Sequence, residues 1–584
     1  MVLCLLQSPS YCQNPVFNEE LYVQTDRDFY ISGEKAYLKI YCLNRLTHKP
    51  STLSKVVYVS LLDSLNDPVV QTKIGINGFS GSGMIILPED IGTGNYYIAS
   101  CTRWMQNFPP DLFSYKVISV LNPFEDTGKS GKKLPEPDPD TSTFIHSGDS
   151  VLGLLSNILP GFNLSVRPGE TDYPTREKIR IEITATDTDG NPVIGNLMVS
   201  VVKSFSEERN NSRINNLIQL PGRSAMDYTK DLMLNNVSET KSVYLPEPEW
   251  HLASGKIHNT ATGEPLKNEN IVLSFVGKTA KCRFAKTDIN GRFYFIIKET
   301  GNHEIVIQPV NPELTDFYVE LDNPFPVVYS DHRPAPLLID TGRLAEINNA
   351  IISMQVQSLY EPLLHSDTDD PEKARTNDFY GKPDLKILLA TYIELSSLKE
   401  IIKELVPGVV TFNRKDRSDI GIYSYPLQTT VMIPLVLVDG VPVHDHDAVL
   451  KINPVEIEQI EVLYSRYFIS DMLFEGIFDI TTYRGSLSVP EFNRPVFRQE
   501  FETLQPVSVF RSPDYSASSK KRSRIPDFRN TLYWNPEIVT DKHGKAVVEF
   551  YSSDEPGNYK VLVEGFTTRG NKGSAEADFS VSDK

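Results

Sequence analysis

The residues best placed to do chemistry are two histidines and two aspartates that alternate at His444-Asp445-His446-Asp447. Alternating imidazoles can share one face of a strand and hold a divalent ion, with carboxylates orienting the rings. Two nitrogen ligands alone fall short of the three or four that a zinc site needs. A polar loop after Val441-Pro-Val443 is the simpler reading, and neither a metal nor another cofactor is assigned. Asp187-Thr-Asp-Gly-Asn-Pro192 has the opening of a calcium loop but lacks the later glutamate at the required spacing, and strands rather than helices flank it. It reads instead as a hairpin turn. Five cysteines are present. Three of them, Cys42, Cys101 and Cys282, lie beyond the leader-like start, and none belongs to a Cys-x-x-Cys or Cys/His cluster. An odd number cannot all pair, so free thiols are expected. There is no Gly-x-Ser-x-Gly elbow, no phosphate-binding Walker loop, no dinucleotide fingerprint and no zinc-binding His-x-x-Glu or His-Glu-x-x-His. The many carboxylates are scattered over predicted strand surfaces. No catalytic residue is assigned, and the chain is read as a non-enzyme.

Any such residues must be positioned by elements, and the composition bounds what those are. A chain of 584 residues suggests about three to six domains. Forty prolines and 33 glycines imply many turns, as in serial β-domains. Acidic residues outnumber basic ones by 76 to 58, giving a net charge of −18, which disfavours nucleic acid or anionic lipid as a partner. No stretch approaches the ~18 uninterrupted apolar residues of a membrane helix. The start, Met1-Val-Leu-Cys-Leu-Leu6, is apolar and is followed by small and polar residues to Gln13. It resembles the end of a secretory signal peptide and predicts export. Tyr11 precedes Cys12 where a lipoprotein signal needs a small residue, so lipidation is not expected.

Period-two alternation dominates the body of the chain. Residues 14–125 read as a β-sandwich: Ala36, Leu38, Ile40 and Cys42 alternate with Tyr37, Lys39 and Tyr41, after a turn at Ser32-Gly33. Residues 126–159 read as a charged, Pro-rich linker. A second sandwich is expected over 160–245, around Lys178-Ile-Arg-Ile-Glu-Ile-Thr184 and Leu197-Met-Val-Ser-Val-Val202. A third is expected over 246–328, around Thr287-Asp-Ile-Asn-Gly-Arg-Phe293. Residues 329–378 read as helix and linker, with Leu344, Ile347, Ile351, Met354 and Leu359 near helical spacing. Residues 379–485 read as one α/β module. Its parts are a helix over Leu395–Leu405 closed by Pro407-Gly408, a buried strand in Pro434-Leu-Val-Leu-Val-Asp-Gly440, a capped turn at Asn453-Pro454, and strands at Ile457–Leu463 and Gly476–Tyr483. Residues 486–530, with the basic run Ser518-Ser-Lys-Lys-Arg-Ser-Arg524, read as a linker, and 531–584 as a last β segment. The fold class is therefore multidomain and mainly β, with serial β-sandwiches plus one α/β module.

Several of these stretches carry a resemblance. Thr25-Asp-Arg-Asp-Phe-Tyr-Ile-Ser-Gly-Glu34 and the Gly94, Tyr96, Ile98 pattern resemble macroglobulin-like (immunoglobulin-like) sandwiches. Tyr533-Trp-Asn-Pro536 with Thr540-Asp541, Gly544 and Phe550 resembles a segment of alpha-2-macroglobulin proteins. Ser254-Gly-Lys-Ile257 through Phe293 resembles the carboxypeptidase regulatory-like domain. Pro434 to Pro442, Ile452-Asn-Pro454, Ile457 to Val462 and Gly476 to Gly485 resemble the plug domain of TonB-dependent receptors. The order is similar to that of exported Bacteroidota envelope proteins. Only 99 residues follow Gly485. A transporter barrel of about 22 strands of ~9–11 residues needs more than twice that, so the resemblance implies a plug-like module without a barrel. The thioester run Gly-Cys-Gly-Glu-Gln is absent. What the resemblance implies is a non-enzymatic scaffold or accessory binding protein of the periplasm or outer membrane. Its plug-like module would dock a protein partner of the envelope, and an outer-membrane protein is one such partner. The alternative is a macroglobulin-like protease binder that works without a thioester.

Overall fold

The computed structural model describes residues 18–125, 161–204, 244–331, 333–337, 344–364, 378–392, 395–414, 417–423, 431–469, 472–489 and 496–583. The leader-like start at 1–13 and the linker at 126–159 lie outside them. The chain is mainly β and forms two compact units. One unit takes in residues up to Glu249, Phe325–Thr368 and 505 onward; the other takes in Trp250–Pro324 and Asp369–Leu504.

The first unit opens with a sandwich. Strands Glu19–Thr25, Lys35–Asn44 and Ser80–Ile86 form one sheet. Phe29–Ile31, Ser114–Leu121, Gly94–Cys101, Val56–Leu62 and Pro68–Gly75 form the other, in that spatial order. Its second sandwich is assembled from two stretches far apart in the sequence. Lys178–Thr186 pairs antiparallel with Lys545–Tyr551, and Gly195–Lys203 lies between Thr531–Val539 and Gly557–Thr567. The regions 160–245 and 531–584, separate in the sequence reading, thus contribute strands to the same two sheets and share one core around Ile181, Val199, Phe550 and Val563.

A polar-looking face of the first sandwich is not exposed. Lys39 and Tyr41, on the side of Lys35–Asn44 opposite Leu38 and Ile40, are completely buried. The second sandwich covers them. Tyr41 and Tyr22 pack on Phe566, with ring centroids 4.9 and 5.1 Å apart, and Tyr37 packs on Phe510 and Trp534. The Lys39 ammonium has the Ser80 hydroxyl at 2.9 Å and the face of the Tyr41 ring, and the charge of Glu537 favours its protonated form. Burial pushes its pKa down to about 8. Asp26 crosses the same seam. Its Oδ1 accepts from the Tyr30 hydroxyl and the Tyr37 N–H, its Oδ2 accepts from the Thr531 hydroxyl, and its carbonyl accepts from Ser200 Oγ. The Thr25–Glu34 segment therefore meets the start of the strand Thr531–Val539 across this interface.

Three turns of the Asp-…-Gly type have the same geometry. Asp187, Asp288 and Asp541 each accept from the backbone N–H groups two and four residues on, and Gly190, Gly291 and Gly544 have positive φ. A hairpin was expected at Asp187. The structure corrects this: Lys178–Thr186 and Gly195–Lys203 lie in opposite sheets, so the turn is a sandwich corner, as are the other two. A Cβ on Gly544 would sit 2.2 Å from the Ala185 carbonyl oxygen, and one on Gly291 would sit 2.6 Å from that of Ile257. Only glycine lets these backbones approach, in addition to supplying the left-handed turn.

The helix Leu344–Leu364 packs Ile347, Ala350 and Ser353 inward, whereas Leu359 is 74% exposed and leaves the expected apolar face. Residues 486–530 are also not simply a linker. Phe497–Glu502 is a strand paired with Asn302–Pro309. The Gln505 side-chain amide accepts from Met84 N–H and donates to Met84 C=O, standing in for a strand at the edge of Ser80–Ile86. The basic run folds around Arg176. This guanidinium pairs with Asp554 and donates to the carbonyls of Lys520, Lys521, Ser523 and Ile525, with the Tyr515 ring beneath it. Charge-assisted bonds of this kind are each worth roughly 1.5–3 kcal/mol. Arg176→Ala is expected to free the loop and speed tryptic cleavage after Lys520, Lys521, Arg522 or Arg524 by roughly ten- to a hundredfold. Timed digestion with mass spectrometry reads this out, and unchanged cleavage would show that Arg176 does not hold the loop.

Candidate functional site in the α/β module

The second unit contains a sandwich and the α/β module. The sandwich sheets are Arg292–Ile297, His251–Asn259, Phe317–Leu321 and Lys281–Lys286, Asn270–Phe275, Asn302–Pro309, Phe497–Glu502. The module has a five-stranded sheet in the order Leu385–Leu388, Ile457–Leu463, Ile477–Thr482, Leu435–Val438, Val441–Pro442. Four consecutive apolar residues, Leu435 to Val438, form a strand covered on both faces. Val436 and Val438 point into a core with Leu398, Ile401 and Ile402 of the helix Leu398–Leu405, whose Ser397 side chain caps the Glu400 N–H. Leu435 and Leu437 point the other way, into a cluster with Ala280, Tyr380, Met472, Phe474 and Ile477.

The strand ends in a turn with positive φ at both Asp439 and Gly440, which reverses the chain into Val441–Pro442. Asp439 is fully buried and accepts from Thr482 N–H, Thr482 Oγ1 and Leu487 N–H. This carboxylate is a structural hub that ties the turn to the end of the neighbouring strand.

The histidine pair does not assemble a metal site. Asp445 caps the short helix His446–Val449, so the two rings do not share a strand face. The Nδ1 of His446 accepts from the Ile420 N–H at 3.2 Å, and His444 Nε2 lies 3.3 Å from the Pro309 carbonyl oxygen. Burial holds the pKa of His446 below the usual histidine range. Among the described residues, no group of three His, Cys, Asp or Glu side chains converges on a point that could hold a metal. Cys42, Cys101 and Cys282 are free and buried, and burial raises all three thiols, that of Cys282 to about 12. Cys101 is 1% exposed because its strand is buried on both sides.

Instead, the module concentrates charge in a row across three strands. Lys386 lies opposite Glu461, and Glu461 lies opposite Asp479. Glu461 and Asp479 are each 5% exposed. Lys386 Nζ is 2.6 Å from Glu461 Oε1. The Tyr380 hydroxyl reaches both carboxyls, with Oη 2.9 Å from Glu461 Oε2 and 2.7 Å from Asp479 Oδ2. The other oxygen of Asp479, Oδ1, is buried and has no hydrogen-bond partner. Burial, reinforced by the charges of Asp378, Glu461 and Asp439, raises the Asp479 pKa to about 7, against the lowering effect of the Tyr380 bond. Chemically, this arrangement can hold a proton. Sequence reasoning passed over Asp479, Glu461 and Tyr380. Their signal is a lone acid inside an apolar strand, Ile477-Phe-Asp-Ile480 and Ile460-Glu-Val462, because a charge there demands a partner.

On the hairpin Tyr467–Ile469/Met472–Phe474, Tyr467 and Phe474 anchor inward, while Phe468 and Leu473 face each other at 67% and 44% exposure. No helix among the described residues is long and apolar enough to cross a membrane.

No family model matches the sequence, and no curated protein matches it. Among solved structures, the chain is similar over 97% of its length to trypsin-activated alpha-2-macroglobulin from Escherichia coli, at 10% identity and a TM-score of 0.24. It is similar over the same share to Salmonella alpha-2-macroglobulin reacted with methylamine, at 10% identity and a TM-score of 0.23. Over 52% of its length it is similar to the Escherichia coli adhesin FdeC, at 8% identity and a TM-score of 0.14. The chain spans 42% and 39% of the length of the two macroglobulins.

Proposed function

We propose that this chain is a non-enzymatic scaffold or accessory binding protein, exported to the periplasm or the outer membrane of a bacterium of the Bacteroidota type. Its macroglobulin-like sandwiches act as a spacer, and its plug-like module docks a protein partner of the envelope. The observation that carries this reading is the seam inside the first unit. Two sandwiches that bury both faces of Lys35–Asn44 between them cannot pivot as beads on a flexible string. A stiff spacer presenting a separate α/β module suits a protein that holds a partner in place.

A photo-crosslinking residue placed at the exposed Phe468 position in otherwise native cells tests the docking. An envelope protein trapped at that position, and lost when Phe468 and Leu473 are replaced by Ser, is the expected result. Recovery of the intact chain in the cytosolic fraction would defeat the reading. Retention of a protease as the sole crosslinked partner would replace it with a protease-binding role.

A further inference from the structure

We propose that Asp479, Tyr380 and Glu461 form a proton-dependent latch that holds the two lobes of the second unit together while Asp479 carries a proton and loosens when it loses it. The reason is a count of hydrogens. The Tyr380 hydroxyl has one proton and lies within hydrogen-bond distance of two carboxyl oxygens, Glu461 Oε2 at 2.9 Å and Asp479 Oδ2 at 2.7 Å. It can donate to only one of them. Both contacts are hydrogen bonds only if one carboxyl is itself protonated and donates to Oη. Glu461 is paired with the Lys386 ammonium through its other oxygen, which favours its anionic form. Asp479 has no cation beside it, and its Oδ1 is buried without a partner. An orphaned oxygen costs far less on a neutral acid than on an anion. The extra proton therefore sits on Asp479 Oδ2. Asp479 donates to Tyr380, Tyr380 donates to Glu461, and Glu461 pairs with Lys386.

Every group facing Asp479 pushes the same way or is already engaged. Asp378, Glu461 and Asp439 are acids, and the nearby Cys282 thiol is held neutral by burial. Loss of the proton places two anions side by side as cross-strand partners, with one hydroxyl between them.

The latch sits where the lobes meet. Tyr380 is packed among Leu437, Met472 and Phe474 of the module and Ala280 of the sandwich. Its neighbours fasten the same segment: the Asp378 carboxylate accepts from Ala280 N–H, Phe379 N–H donates to the Ala280 carbonyl, and the Tyr467 hydroxyl donates to the Phe379 carbonyl. Releasing Tyr380 would loosen the whole Asp378–Gly381 strap.

The direction with pH follows from linkage. In the unfolded chain the Asp479 carboxyl ionises near pH 4. In the fold it keeps its proton up to about 7. Its stabilising contribution is complete below pH 4, declines across the window from about 4 to 7, and is gone above it. Within that window, the folding equilibrium of this unit falls about tenfold per pH unit.

The test is hydrogen exchange of the full chain between pH 5 and 8.5, corrected for intrinsic exchange and read on peptides covering 378–381 and 457–482, beside denaturant melts. In the wild type, opening of these peptides should rise by roughly a hundredfold between pH 5 and 7. Asp479→Asn, which can still donate to Tyr380, should fold and make that opening independent of pH over this range. Tyr380→Phe should keep a pH dependence but open the strap at every pH. A wild-type profile that is flat after correction, or an Asp479→Asn profile with the same slope as wild type, overturns the proposal. Should Asp479→Asn fail to fold, carbon-13 titration of the Asp479 carboxyl in the wild-type chain decides. A midpoint near 7 supports the latch, and one near 4 overturns it.

Discussion

Val436→Asp is expected to collapse the second unit as a whole and to leave the first intact. Val436 is 1% exposed and lies among Val438, Ile401, Ile402, Phe478 and Ile480. No cation or donor among these neighbours can satisfy a carboxylate, so the substitution costs on the order of 5 kcal/mol. That rivals the entire stability of a typical domain, which is about 5–15 kcal/mol. The sequence alone suggests that only the module, 379–485, would unfold. The structure widens the expectation. Val306 of the sandwich strand Asn302–Pro309 belongs to the same core, and Val276 packs against it. The opposite face of the mutated strand also shares a cluster with Ala280. The lobes therefore lack independent cores on that side, and the loss of one should unfold the other. Limited proteolysis with peptide mapping should show protection lost across both 250–324 and 378–504. The strands around Leu38, Ile40 and Val563 should stay resistant. Continued resistance of 250–324 would show that the lobes fold separately. Loss of the first unit would show that the two units are one cooperative body.

What could be read in advance, and what could not, divides along physical lines. Local patterns were informative. Lys178–Thr186 alternates buried and exposed side chains as its period-two sequence requires, and Leu398–Leu405 begins at the capping Ser397 and ends before Pro407. The run Leu435 to Val438 has no polar side because it has no exposed side. Partnership was not legible. Nothing within Lys178–Thr186 states that its neighbour is Lys545–Tyr551, some 360 residues away, because hydrogen bonding of the backbone is indifferent to sequence. Alternation misled at Lys39 and Tyr41 for a related reason. It identifies the apolar side of a strand but is silent on whether a second domain covers the other side. The basic and Pro-rich composition of 486–530 suggested solvation, yet Arg176 collects its carbonyls and Asp527 and Arg529 are buried as a pair. The Asp479 row was invisible for a third reason. Its members come from three strands and a loop, and only the register of those strands brings them side by side.

Phe566→Ala is expected to unfasten the two sandwiches of the first unit. Phe566 is fully buried and forms one cluster with Tyr22, Tyr41 and Leu43. Truncating a buried Phe costs about 3–5 kcal/mol. Here much of that cost should fall on the seam, since its ring contacts are with Tyr22 and Tyr41 of the other sandwich. Polar links remain, among them Tyr41 Oη to the Asn196 carbonyl and Ser200 to the Asp26 carbonyl at about 1 kcal/mol each, and Gln24 to the Glu564 carboxylate and Thr531 to the Asp26 carboxylate at roughly 1.5–3 kcal/mol each. A double-mutant cycle with Tyr41→Ala separates the seam from each sandwich's own core. Aromatic pairs contribute about 0.5–1.5 kcal/mol beyond the area they bury, so a coupling of about 1–2 kcal/mol is expected in denaturant melts. Lys39 provides an independent readout. Once the second sandwich no longer covers this face, water reaches the ammonium, and its depressed pKa should climb back toward the ordinary lysine range. Faster acylation of Lys39 by an amine reagent near pH 8, despite the smaller neutral fraction, would then mark its new accessibility. Coupling below ~0.5 kcal/mol together with an unreactive Lys39 would mean that the sandwiches stay joined without Phe566, and that the stiffness of the spacer rests on the polar links instead.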